Sequence, residues 1–128
     1  MNTSQTPSLF ELRKTITFES AHRLPHLPST HKCSRMHGHS FSATLVVRGP
    51  LDPHFGWVID YAEMKKAFAP VIEELDHRTL NEIQGLENPT SEVIAQWIYL
   101  KIKSLLPSLH QIIIGETCTT ECRYPVRD

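Results

Sequence analysis

Two long runs of alternating apolar and polar residues constrain the fold of this chain more than any other feature. The first keeps its apolar residues, apart from Lys14, at even positions: Phe10, Leu12, Ile16 and Phe18, followed by Ser20 and His22. The second keeps one face at odd positions: His37, His39, Phe41, Ala43, Leu45 and Val47. A period of two is typical of a strand with one buried face. The sequence therefore predicts two strands, made antiparallel neighbours by a hairpin-like return.

The middle of the chain predicts two helices. Asp60 and Glu63 have the spacing of an N-cap and its reciprocal partner, so a first helix should begin there. Apolar residues at helical spacing continue it to Leu75, although Pro70 should kink the helix or divide it. A second helix should begin near residues 88–92 and end before Pro107.

The end of the chain returns to the period of a strand. Ile112, Ile114, Glu116 and Cys118 share one face of a third strand, and residues 120–126 can return as a fourth. This order predicts an α+β fold, with a four-stranded, mainly antiparallel sheet and two helices on one face. The 128 residues, 40% of them hydrophobic, suit one domain over 9–128, preceded by a frayed N-terminus over 1–8.

Charge and composition narrow the class of partner. A formal net charge of -1 argues against a nucleic-acid footprint or a basic membrane-binding segment. No apolar run approaches the roughly 20 residues of a membrane span, and the first seven residues lack the features of a secretory signal. We therefore expect a soluble cytoplasmic protein. Its three cysteines, an odd number, predict thiols rather than a disulfide framework.

Histidines are concentrated in one short segment. Five of the eight fall between residues 22 and 39: His22, His26, His31, His37 and His39. His37 and His39 would leave the same face of a strand with Cα atoms roughly 6.6 Å apart, so both can reach one metal ion. His22 has the same inward parity. Three imidazoles with an open fourth position are typical of catalytic zinc, although exposed or singly hydrogen-bonded histidines would also explain an isolated pair.

Four further residues, at three places in the sequence, are candidate functional residues, and each place has an alternative explanation. Cys33 could be a fourth metal ligand, a buried inert thiol or a catalytic base. Asp76 and His77 follow the first helix, where the helix dipole also favours a histidine. Glu116 lies on the apolar face of a predicted strand, where an unpaired carboxylate is costly. It should meet an internal Arg or Lys, or a ligand with two N–H donors.

Five motifs occur in the order and spacing of a known family. They are Phe18-Glu19-Ser20-Ala21-His22-Arg23-Leu24, Cys33-Ser34-Arg35-Met36-His37-Gly38-His39, Leu75-Asp76-His77 with Leu80-Asn81, Asn88-Pro89-Thr90-Ser91-Glu92, and Glu116-Thr117. With these motifs the chain resembles the 6-pyruvoyltetrahydropterin synthase family over nearly all residues after 8. The three residues between Cys33 and His37 make it most similar to the bacterial 6-carboxytetrahydropterin synthases of queuosine (7-deazaguanine) biosynthesis. The pyruvoyl branch usually has a longer gap.

The resemblance implies a structure and a set of roles. The structure is a tunnelling fold (T-fold), in which the sheets of three subunits close into a barrel and two trimers stack as a homohexamer, with active sites at subunit interfaces. The implied roles are zinc ligation by His22, His37 and His39, general-base catalysis by Cys33 with Asp76 and His77 as its dyad, and pterin anchoring by Glu116. Opposite the Glu116 carboxylate, a pterin would offer an amino group and a ring N–H.

The implied activity is that of a zinc-dependent carbon-carbon lyase. Such an enzyme converts 7,8-dihydroneopterin triphosphate to 6-carboxy-5,6,7,8-tetrahydropterin, releases acetaldehyde and triphosphate, and requires no nicotinamide or flavin. Residues 22–39 contain no Asp or Glu, so Arg23, Lys32 or Arg35 could bind the triphosphate. Solvated surface charge explains each of these cations equally well.

Three rival interpretations remain open at the level of sequence. The pyruvoyl branch shares the fold and the zinc but does not cleave the carbon chain. A non-catalytic zinc module, with Cys33 as the fourth ligand, would leave Glu116 without an explanation. A zinc hydrolase would leave Cys33 and the Asp76-His77 pair without a role.

Overall fold

The computed structural model describes residues 8–127, so the expected frayed segment 1–8 lies, apart from Ser8, outside the described residues. The strands and helices follow the order β1 Leu9–His22, β2 His37–Pro50, α1 Tyr61–Leu75, β3 Arg78–Thr79, α2 Ser91–Lys103, β4 Leu109–Gly115 and β5 Cys122–Tyr124. Two short 3-10 turns, Lys32–Ser34 and Leu80–Glu82, complete the secondary structure of this part of the chain. None of the helices in this range is both long and apolar enough to cross a membrane.

The strands form one mixed sheet in the order β3-β1-β2-β4-β5. The four predicted strands are present, but the sheet has five, because β3 pairs parallel with β1 at Ser20 and Ala21. A strand of two residues is too short to show a period of two in the sequence. The α+β class with both helices packed on one face of the sheet is confirmed.

The third predicted strand extends less far than its sequence pattern suggested. β4 ends at Gly115, so Glu116 and Cys118 lie beyond the strand rather than on its buried face. The reason is a turn built from hydroxyl groups, in which Thr117 Oγ1 lies 3.1 Å from the hydroxyls of both Thr119 and Thr120. The three cysteines are free thiols, as predicted.

Both helices begin where the sequence indicated. Asp60 accepts a hydrogen bond from the amide of Ala62, and Thr90 accepts one from the amide of Val93, so each is an N-cap. Helix α1 is not divided at Pro70, which is exposed on the side away from the core. The missing amide of this proline therefore leaves no buried carbonyl group without a donor.

The long β1–β2 pair determines which side chains meet at the end of the sheet. Its register places His22 opposite His37 and Ser20 opposite His39. Farther along the same face the rings of Phe18 and Phe41 stack with centroids 5.1 Å apart, in a core that includes Leu45, Met64, Phe68, Ile98 and Ile112. Along this face of the sheet, the apolar side chains of the core are therefore followed directly by histidines at the end of the strand pair.

Candidate metal and substrate site

Three histidines meet where β1 ends and β2 begins. The ring centroids of His22 and His37 lie 4.6 Å apart, those of His22 and His39 lie 5.1 Å apart, and those of His37 and His39 lie 4.8 Å apart. One nitrogen from each ring lies within 4.8 Å of the others. Tetrahedral ligands at roughly 2.0 Å from zinc are separated by about 3.3 Å, so a small closure of these side chains would complete the ligand set.

Backbone carbonyls orient two of these rings. Nδ1 of His22 lies 2.8 Å from the carbonyl oxygen of Pro89, and Nδ1 of His37 lies 2.8 Å from that of Arg35. Because a carbonyl can only accept, each Nδ1 must carry a proton, and in a neutral ring with this tautomer Nε2 presents a lone pair. This is the arrangement in which histidines usually bind metals.

His22 provides the clearest test of whether these residues fit a metal ion. Its Nε2 is buried and has no hydrogen-bond partner within residues 8–127. Burial lowers the pKa of His22, which favours the neutral form, although the Pro89 carbonyl acts in the opposite direction. A buried acceptor without a donor is costly, and a cation bound by all three rings would satisfy it. The donor set therefore fits zinc.

One pocket of about 440 Å³ joins these histidines to other predicted site residues. Its walls also include Leu24, Lys32, Cys33, Gly38 and Glu116. Cys33 lies on the turn Lys32–Ser34, where its amide donates to Nδ1 of His31 over 3.0 Å and its carbonyl accepts from Leu24 over 2.8 Å. Within the described chain the cluster with metal-binding spacing consists of the three histidines and does not include Cys33. We call this cavity the metal pocket.

Glu116 lines the metal pocket immediately after β4. It is half-buried, and none of the ion pairs in the described part of the protein includes it. The internal Arg or Lys that sequence reasoning allowed as its partner is therefore not found. A carboxylate in this position remains free to accept hydrogen bonds from a ligand.

Asp76 and His77 directly follow α1 and lie beside Glu19 of β1. Oδ2 of Asp76 is 3.0 Å from Nδ1 of His77, and Oδ1 accepts a 2.9 Å hydrogen bond from the amide of Glu19. These donors, the Glu19 amide first, lower the pKa of Asp76. His77 has a φ of 57°, the only positive value outside glycine in residues 8–127, and its amide donates to the Glu19 carbonyl.

His77 lines a separate pocket of about 540 Å³, together with residues that include Glu19, Gly38, His39 and Ser40. We call this cavity the dyad pocket. Cys33 and Glu116 do not line it. One chain therefore brings together the three histidines, Cys33 and Glu116, but it leaves His77 exposed on another surface.

Sequence reasoning missed the backbone groups that orient the site. The carbonyl groups of Pro89 and Arg35 have no residue-specific signal, because every residue carries one. Of the three candidate cations, Lys32 lines the metal pocket, whereas Arg23 and Arg35 do not.

Comparisons with known proteins agree with this geometry. The profile of the family described as 6-pyruvoyl tetrahydropterin synthase (PTPS) matches residues 11–126. A 6-carboxy-5,6,7,8-tetrahydropterin synthase from Synechocystis sp. is 41% identical over 117 residues, which cover 87% of this chain and 89% of that protein. A dihydroneopterin monophosphate aldolase from Pyrococcus furiosus is 36% identical over 96 residues, covering 75% of this chain and 81% of that protein.

The fold agrees as well. The structure of Caenorhabditis elegans 6-pyruvoyl tetrahydropterin synthase matches with a TM-score of 0.85 and 28% identity, covering 92% of this chain and 96% of that one. The chain belongs to the 6-pyruvoyl tetrahydropterin synthase family. The predictions of this family, of its T-fold subunit and of an enzyme are confirmed.

Proposed function

We propose that this protein is a zinc-dependent 6-carboxy-5,6,7,8-tetrahydropterin synthase acting in queuosine biosynthesis. It converts 7,8-dihydroneopterin triphosphate to the carboxylated pterin and releases acetaldehyde and triphosphate. The observation that carries the proposal is the metal pocket, in which three converging imidazoles share one cavity with a thiol and an unpaired carboxylate. The name of the Synechocystis relative supports the same reaction.

His22, His37 and His39 would hold the zinc and leave one position open to the substrate. Zinc there would supply a Lewis acid for the hydroxyl groups of the substrate side chain. The protein's own contribution is to orient the rings of His22 and His37 through the carbonyls of Pro89 and Arg35, and to favour the neutral form of His22 by burial.

Cys33 is the proposed general base. Its turn borders the cavity without belonging to the histidine cluster, which supports a base rather than a fourth ligand. Lys32 lines the same cavity, where its positive charge attracts an anionic substrate. As the base, the sulfur of Cys33 would remove a proton from the substrate side chain beside the metal position.

Glu116 is the proposed pterin anchor. A pterin offers its amino group and an adjacent ring N–H side by side, and a carboxylate can accept both in two charge-assisted hydrogen bonds. Glu116 has the burial and the free oxygen atoms for this role. It would also hold the reacting side chain of the substrate at the histidines and Cys33.

The Asp76-His77 pair would act on a site in a neighbouring copy of the chain. His77 is exposed and outside the metal pocket of its own chain, and Asp76 holds its Nδ1 so that Nε2 is available to transfer a proton. Only Ser20 and Ala21 of the described β1 strand have a strand on their second side, so most of that edge can pair with another chain. Both observations support the homohexamer with interface sites.

Sequence spacing and charge support the proposed substrate. The short Cys33-to-His37 spacing favours the carboxylate-forming branch over the pyruvoyl branch, and Lys32 is the best placed of the candidate cations for the triphosphate. The net charge of -1 supports a small-molecule substrate rather than nucleic acid, and a cytoplasmic location is part of the proposal.

The test is to identify the products. Zinc-loaded protein is incubated with 7,8-dihydroneopterin triphosphate, the pterins are analysed by mass spectrometry and acetaldehyde is trapped chemically. We expect the carboxylated pterin and acetaldehyde in equal amounts. A pyruvoyl product without acetaldehyde would assign the chain to the other branch. Turnover of the monophosphate in preference to the triphosphate would instead assign the aldolase activity of the Pyrococcus relative.

A further inference from the structure

The loop before α2 carries the carbonyl that orients His22. His22 is the last residue of β1, and Pro89 lies on the loop that leads to the N-cap of α2 at Thr90. The two segments are far apart in sequence and meet through the 2.8 Å contact between Nδ1 of His22 and the Pro89 oxygen. The orientation of His22 therefore depends on how this loop is held against the end of β1.

The side chain of Asn81 joins these two segments. Its Nδ2 donates to the carbonyl of Arg23 over 2.8 Å and to the carbonyl of Glu87 over 3.2 Å. Its Oδ1 accepts from the amide of Arg23 over 3.0 Å. The side-chain amide of Asn81 thus binds the N–H and C=O groups of Arg23, the residue after His22. It also binds the C=O group of Glu87, two residues before Pro89.

Asn81 also extends the sheet. The parallel pairing of β3 with β1 ends at Ala21 and Thr79, where the chain turns into Leu80–Glu82. Beyond that point the side-chain amide makes the two hydrogen bonds to Arg23 that a neighbouring strand would have made. The loop has its own internal support, since the Glu87 carboxylate accepts from the Gly85 amide, but that contact does not reach β1.

We propose that Asn81 is a positioning residue for the metal. It holds the Pro89 carbonyl against His22, so that Nδ1 keeps its proton and the buried Nε2 points to the ion. This role rests on the proposed metal site and goes beyond it, because Asn81 touches neither the three donor atoms nor the metal pocket. Asn81 needs all three of its hydrogen bonds for this role, two as a donor and one as an acceptor.

Two variants distinguish the loss of the Asn81 donor group from the loss of the whole side chain. Asn81→Asp keeps the acceptor for the Arg23 amide but places a negative oxygen against the carbonyls of Arg23 and Glu87, and Asn81→Ala removes all three bonds. Asn88→Ala is the matched control, because Asn88 lies in the same loop and its side chain makes no hydrogen bond within residues 8–127. Zinc affinity by chelator competition, the visible spectrum of the cobalt(II) form and the free energy of unfolding of the metal-free protein are measured for each.

We expect both Asn81 variants to bind zinc about tenfold more weakly and to show an altered cobalt spectrum, with Asn88→Ala unchanged. Unchanged zinc affinity and cobalt spectrum in a folded Asn81→Asp variant would overturn the role, even if its free energy of unfolding falls. If the unaltered protein binds neither metal, the proposed metal site fails instead.

A measurement on the unaltered protein covers the case in which neither variant folds. Long-range proton–nitrogen NMR of the metal-free protein should show His22 with its proton on Nδ1 and in slow exchange with water. A His22 proton found on Nε2 would overturn the proposal, because the Asn81-held carbonyl would then not orient the ring.

Discussion

The metal pocket and the dyad pocket lie at the same strand ends and share Gly38 and His39, but their other lining residues differ. The metal pocket takes its histidines from even positions of β1 and odd positions of β2, whereas Glu19 and Ser40 of the dyad pocket have the opposite parity. In the metal pocket, carbonyls orient the rings of His22 and His37, and burial favours the neutral form of His22. In the dyad pocket, an exposed histidine is paired with a carboxylate. The first brings a candidate ligand set together within one chain, and the second is, under the proposed function, half of a site that two chains share.

The sharpest test of this difference is to remove one ligand from the metal pocket. His37→Ala should abolish zinc binding and lower turnover by at least about a thousandfold, because an open three-ligand site has no spare donor. Zinc content and turnover are measured on the same sample. His26→Ala, which changes an exposed histidine in the same segment, is the control and should leave both unchanged. Full zinc occupancy in His37→Ala would show that the three rings are not the ligand set.

Removing the thiol tests the division of roles within the metal pocket. Cys33→Ala should keep its zinc and its fold but lose acetaldehyde release by about a hundredfold or more, the usual cost of losing a general base. Cys118→Ala, at an exposed thiol beyond β4, is the control. Loss of zinc together with activity would make Cys33 a ligand, and undiminished turnover would exclude it from the reaction.

How much of each pocket the sequence predicts depends on how far apart in sequence the interacting residues lie. The alternation around His22 and His37 determines the face and the register, so the cluster of three histidines could be predicted from a hairpin alone. The Pro89 carbonyl could not, because it comes from 67 residues farther along the chain and carries no residue-specific signal. The two-residue strand β3 was missed for a similar reason, since parallel pairing over such a short length leaves no periodicity.

The separation of His77 from Cys33 is a second property that one sequence pattern does not reveal. Both belong to the family's motifs, yet their pockets differ within one chain, because β1 turns successive side chains to opposite faces and the Asp76-His77 pair is bound to the backbone of Glu19. The motif order predicts which residues take part in the reaction. The number of chains that supply them is not given by the motifs, and the separate positions of the two pockets support the proposal of a site shared between chains.

Mixing two inactive variants would show whether the two pockets cooperate between chains. Cys33→Ala and His77→Ala, refolded together at equal amounts, should regain about one quarter of the parental turnover, because one site in four receives both intact residues in a random oligomer. Each variant refolded alone is the control. Activity that stays at the sum of the two separate variants would mean that both residues act within one chain.

Substitution of Glu116, the proposed pterin anchor, should give a smaller effect that is confined to substrate binding. Glu116→Gln keeps the shape of the side chain but loses the charge that strengthens both hydrogen bonds, so kcat/KM should fall about tenfold with most of the change in KM. Zinc content should equal that of the parent, since Glu116 is outside the ligand set. A fall in zinc content or a loss confined to kcat would contradict the anchoring role.

The smallest expected effect concerns the charge on Asp76, the partner of His77 beside the dyad pocket. Its lowered pKa has a local origin, because a carboxylate at the C-terminal end of α1 is opposed by the helix dipole and is favoured only by the Glu19 amide and His77. A carboxyl group whose pKa is lower in the folded state stabilises the fold above its unfolded pKa, about 3.9, and this contribution disappears as the pH falls through the folded value.

Asp76→Asn should therefore be slightly less stable than the parent at pH 7, and the difference should shrink when urea unfolding is repeated below about pH 4. Glu73→Gln, on the exposed side of the same helix near its C-terminal end, is the control and should not destabilise the protein at pH 7, because it removes a charge that the dipole opposes. A difference between Asp76→Asn and the parent that persists at low pH would show that Asp76 holds His77 through shape rather than charge. The dyad pocket would then lack the electrostatic element that distinguishes it from the metal pocket.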